Sequence, residues 1–159
     1  MKTHFFLHRP LAGAIVQDEY DMDAPWHYHD MHQLQCALEG AMQVEDGCSR
    51  YCLAAWIPAG TRHRHSLRRI RSVSVLLASE WVTNPGNTVR VVYAPPLMRE
   101  MCAVAGPRWP LAKPLDGTGS AFFMAFARLC TEWISDCAPL SLQNTTDTVL
   151  ERDRMASRH

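Results

Sequence analysis

Residues 26–33 read WHYHDMHQ, which places His27, His29 and His32 within six positions and closes on the amide of Gln33. In an extended strand alternate side chains share a face, so His27, His29 and Gln33 can point into one cavity, with Gln35 and Ala37 along the same wall. His32 falls on the other face and reads as a surface histidine.

A second cluster, residues 56–65 (WIPAGTRHRH), sets a Pro58-Ala59-Gly60 turn ahead of a strand. In that strand His63 and His65 share a face while Arg62 and Arg64 take the opposite one. Laid side by side, the two strands gather His27, His29, Gln33 and His63 around one point. Three imidazoles and an amide oxygen suit a divalent transition metal: zinc, nickel, cobalt, iron or manganese. Trp26, Gln35, Trp56 and His65 are the residues expected to wall the pocket and touch a ligand.

Working outward, residues 4–93 alternate short β-branched, aromatic and aliphatic runs with turn signals at Gly40, Asp46-Gly47, Pro58-Ala59-Gly60 and Asn84-Pro85-Gly86-Asn87. That texture predicts an all-β sandwich or barrel over residues 1–93. Strands are expected at 4–7, 12–19, 32–38, 41–45, 50–53, 55–57, 62–69, 73–78 and 88–93. After Pro95-Pro96 a helix is expected over Leu97–Ala105, ended by Gly106-Pro107. A second, amphipathic helix is expected over Ser120–Asp136. Its stripe of Phe122, Phe126, Leu129 and Trp133 is either core or a homodimer face, and on the dimer reading Phe126→Glu separates protomers without unfolding the β domain. Residues 94–140 are thus expected to form a helical segment, the dimerisation element on the second of these readings, and the polar stretch 141–159 a linker or frayed tail.

The 16 basic and 16 acidic residues cancel at a pI near 7.1. The chain therefore lacks the electropositive excess of a nucleic-acid-binding domain. The N-terminal apolar run is interrupted by His8 and Arg9, and no segment reaches membrane-spanning length. A soluble cytoplasmic protein is expected, with its six cysteines reduced and Cys36 and Cys130 in the core. Cys48 and Cys52 read as unbridged thiols.

The spacing His27-x-His29-x3-Gln33-x6-Gly40, followed by Pro58-x-Gly60-x2-His63, resembles the two cupin motifs in their order. Gln33 stands where that superfamily usually has glutamate, and Leu67 where it usually has asparagine. More narrowly, residues 26–34 together with residues 55–63 and the helical part from Ala94 resemble the N-terminal cupin of AraC-type transcription regulators.

The resemblance spans roughly residues 10–140. It implies a double-stranded β-helix (jelly-roll) barrel followed by a short α-helical dimerisation segment. It also implies an effector-sensing, homodimeric role, with DNA contacted only through a C-terminal helix-turn-helix module not present in this chain. Two other readings stay open: a small metal-dependent cupin dioxygenase or isomerase using the same histidines, and a metal-free homodimeric interaction module.

Overall fold

Residues 72–77 run Ser72, Val73, Ser74, Val75, Leu76, Leu77, and this period of two gives the sheet one largely apolar and one partly polar face. They end the longest strand of a computed structural model that describes the backbone of residues 2–4, 11–18, 21–45 and 54–135. Side chains are described for residues 11–18, 24–39, 54–64 and 71–135. Among the described residues seven strands form one mostly antiparallel sheet: β1 (Lys2–His4), β2 (Ala12–Gln17), β3 (Asp21–His29), β4 (His32–Glu45), β5 (Ala54–Ile57), β6 (His63–Leu77) and β7 (Arg90–Val92). Two helices follow, α1 (Pro96–Arg108) and α2 (Gly117–Ser135). The β-rich architecture expected from the turn spacing is observed.

The central strand is β6. Its first part pairs with β3 (Asp21↔Arg68 to His27↔His63), its second with β2 (Ala12↔Leu77 to Gln17↔Ser72), and β4 pairs along nearly all of it. Two pairs of expected strands are therefore single strands. Residues 32–38 and 41–45 join as β4, whose register shifts between Ala37 and Ala41 absorb Gly40 as an irregularity rather than a turn. Residues 62–69 and 73–78 likewise merge into β6. The chain between His29 and His32 bends, so the single extended segment expected over residues 26–35 is two strands. The strand expected at 50–53, Cys48, Cys52 and the tail 141–159 lie outside the described residues.

Ala12, Ala14, Leu34, Cys36, Trp56, Val73, Val75 and Leu77 pack with Met98, Cys102, Phe123, Phe126, Cys130 and Ile134 in the main core, between the sheet and the two helices. Helix α1 does not stop at Gly106-Pro107, as expected, but continues to Arg108. Pro107 has no N–H to give the Ala103 carbonyl, yet the Trp109 N–H still closes the last turn on the Ala105 carbonyl at 2.9 Å. Gly106 lets the helix lie on the sheet: a Cβ at that position would sit 2.7 Å from Val16 Cγ2. Helix α2 begins three residues before its expected start. Asp116 accepts the Gly119 N–H at 2.6 Å through Oδ1, a side-chain N-cap that the apolar stripe does not reveal.

That stripe is largely interior. Phe126 is fully buried in the chain's own core and is not an interprotomer surface, because the sheet leaves it no exposed area to offer. Phe122 stacks on Trp109 with ring centroids 4.7 Å apart, and Trp133 meets Phe126 edge-on at 5.7 Å. Both are half-buried, as is Leu129. Among the described residues no helix is long and apolar enough to cross a membrane.

Candidate metal centre

Register brings the histidines together. His27 on β3 is the direct cross-strand partner of His63 on β6, so the expected side-by-side arrangement of the two clusters is present. His29 follows two residues on, and the ring centroids lie 4.8 Å (His27–His29), 4.3 Å (His27–His63) and 5.4 Å (His29–His63) apart. One ring nitrogen from each of the three lies within 4.8 Å of the others. Nitrogens bound to one zinc at about 2.1 Å sit roughly 3.4 Å apart, so closure on an ion needs a contraction on the order of 1 Å. His63 is fully buried, His27 is 3% exposed, and His29 is half-buried, so the cluster opens on the His29 side.

Backbone carbonyls set the ring orientations. His27 Nδ1 donates to the Pro25 carbonyl, and His63 Nδ1 donates to the Thr61 carbonyl at 2.8 Å. A carbonyl only accepts, so each Nδ1 carries the hydrogen and the neutral ring presents the Nε2 lone pair, the form a metal requires. Pro25 and Thr61 escaped the sequence reading because a main-chain acceptor leaves no side-chain signature.

Gln33 is on β4, across the bend from His29. Its Nε2 donates to Ser74 Oγ at 3.0 Å, while its Oε1 is buried without a hydrogen-bond partner. An amide tied through nitrogen keeps its oxygen as the atom that can accept a hydrogen bond or serve as a ligand. Beside it Gln35 Nε2 donates to Gln17 Oε1 at 3.1 Å, and Ser72 Oγ donates to the same oxygen at 3.3 Å. Gln35 Oε1 is also buried and unsatisfied. Gln33, Gln35, Ser72 and Ser74 thus form a buried polar row, and among the described residues no Asp, Glu, Lys or Arg is buried. The serines alternate with Val73 and Val75, a period-two signal that could have placed them on this face.

No protein-family model matches the chain, and no curated protein or solved structure is significantly similar to it.

The remaining expected ligand contacts fare differently. Trp26 is half-buried, with the Arg62 and Arg64 guanidiniums 5.2 Å and 5.4 Å from its ring centroid. Trp56 is fully buried in the helix-facing core, its Nε1–H donated to the Pro85 carbonyl at 2.8 Å. It alternates away from the polar row because its β4 partner is Leu34. The side chain of His65 lies outside the described residues. His32 is indeed apart from the triad but is not at the surface: at 3% exposure it packs against Trp56 with centroids 5.3 Å apart.

Proposed function

We propose that the chain is a metal-dependent sensor domain, a cupin-type jelly-roll barrel of the AraC regulator kind, holding a divalent transition metal on His27, His29 and His63 with Gln33 as an oxygen donor. The observation that carries this reading is the convergence of three imidazoles, two of them with Nδ1 held by a backbone carbonyl. Zinc, nickel, cobalt, iron and manganese all accept such a set.

Four neutral donors leave the charge of a dication uncompensated. A small polar effector with an anionic end fits that excess, and its hydrogen-bond donors fit the unsatisfied Gln35 oxygen. The effector acts by binding two arrangements of the helical segment unequally, as linkage demands. Homodimerisation belongs to the same proposal, through the outer face of α1, where Leu97 and Val104, seven residues apart, are exposed. DNA recognition, in the same proposal, belongs to a helix-turn-helix module of the regulator.

Element analysis of untagged protein purified without added metal tests the centre. About one equivalent is expected, with His63→Ala weakening binding at least tenfold. Less than roughly a tenth of an equivalent, with no thermal shift on zinc titration, would sink the metal reading. The same histidines also serve the second reading, a metal-dependent oxygenase or isomerase; the neutral Gln33 in place of a carboxylate favours sensing.

A further inference from the structure

His32 is not among the converging imidazoles, yet hydrogen bonds lead from it to two of them. Its Nδ1 accepts the Ala59 N–H at 2.8 Å. The next amide, Gly60, donates to the His29 carbonyl at 2.7 Å, and Thr61 N–H closes the turn on the Pro58 carbonyl at 3.1 Å. The Thr61 carbonyl in turn accepts from His63 Nδ1. One four-residue turn therefore touches His32 at its second residue, the His29 backbone at its third and the His63 ring at its fourth.

Both nitrogens of His32 have fixed roles. A backbone N–H donates to Nδ1, and Nε2 faces the Ser79 carbonyl at 3.2 Å, which can only accept. The ring is thus the Nε2–H tautomer, bridging β4 to the turn on one side and to the segment after β6 on the other.

The turn itself points to the purpose of the Ala59 bond. Gly60 has φ of +79°, which with the Thr61-to-Pro58 bond defines a type II turn. Its second position has φ near about −60°, where proline is favoured. Position 59 instead keeps an N–H, and that N–H is the one His32 accepts.

We propose that His32 is a positioning residue of the metal centre: by holding the Ala59 N–H it fixes the Pro58–Thr61 turn, and through it the His63 ring and the His29 backbone. The inference rests on the metal reading of the triad.

Three variants separate this role from simple packing. His32→Asn keeps an acceptor at the position of Nδ1 but cannot reach Ser79, whereas His32→Gln reaches farther and loses that acceptor. Ala59→Pro deletes the donor while keeping the φ that the turn prefers. Zinc affinity by chelator competition, the d–d spectrum of the cobalt-loaded protein and the melting temperature of the metal-free protein are the readouts. His32→Gln and Ala59→Pro are expected to weaken zinc about 10–100-fold and to alter the cobalt bands, while His32→Asn stays within about threefold of wild type with an unchanged spectrum. A packing role would make affinity follow melting temperature instead of acceptor position.

The proposal is overturned if His32→Asn loses as much affinity as His32→Gln, or if Ala59→Pro binds zinc and cobalt as wild type does. Should His32→Gln fail to fold, Ala59→Pro, in a half-buried turn, decides the question against His32→Asn. Wild-type protein that takes up neither zinc nor cobalt removes the metal reading and this role together. Uptake by wild type with all variants unaffected removes only the role of His32.

Discussion

Burial holds the His32 imidazole below the ordinary histidine pKa, against the Ser79 carbonyl and the Glu80 carboxylate, which pull it upward. In the unfolded chain the ring titrates near about 6.5, so below that pH the unfolded state gains a proton before the folded state does. This contribution is fully present above that pH, is lost as pH falls toward the lower folded value, and falls no further beyond it. Denaturant unfolding from pH 8 to pH 4 should show this acid loss in wild type and a smaller one in His32→Asn. Equal slopes would mean that His32 does not titrate between the two states. The triad was legible from the sequence because His-x-His and Pro-x-Gly-x2-His fix ring positions by strand alternation. His32 was not read correctly, since alternation counts faces only along an unbroken strand. The bend after His29 returns His32 to the interior.

Helix α2 shows what periodicity does and does not reveal. The three- and four-residue spacing of its apolar residues identified a helix with one buried face, but a period carries no information on whether that face meets its own sheet or a second chain. The structure buries Phe126 against the sheet, so Phe126→Ala should cost about 3–5 kcal/mol in unfolding free energy. Phe126→Glu should unfold the chain instead of separating protomers. A folded, merely monomeric Phe126→Glu protein in circular dichroism and light scattering would contradict that placement. Strand ends were misread for a related reason: Gly40 looks like a terminator locally, yet pairing with β6 on one flank of β4 carries the strand through it. Likewise the start of α2 depends on one carboxylate, Asp116, that lies outside the apolar pattern.

For the molecule as a whole, the broad class was readable from turn spacing, whereas the strand order was not, because β6 has partners distant in sequence on both edges. Residues 72–77 lie between β2 and β4, and residues 65–68 between β3 and β4. Amides held on both flanks exchange with solvent only when the whole sheet opens, so those of β6 should be the slowest in the chain. A ligand that binds only the folded state adds the same free energy to every such opening, about 2.7 kcal/mol at a hundred times its dissociation constant. Zinc supplied at the His63 end should therefore slow exchange at Val75 and Leu77 by the same factor as beside the site, as deuterium uptake by mass spectrometry can measure. Protection confined to the histidine end would show that the sheet opens in pieces. With uniform protection, one continuous strand makes occupancy at one end of the sheet readable at the other without any change of shape.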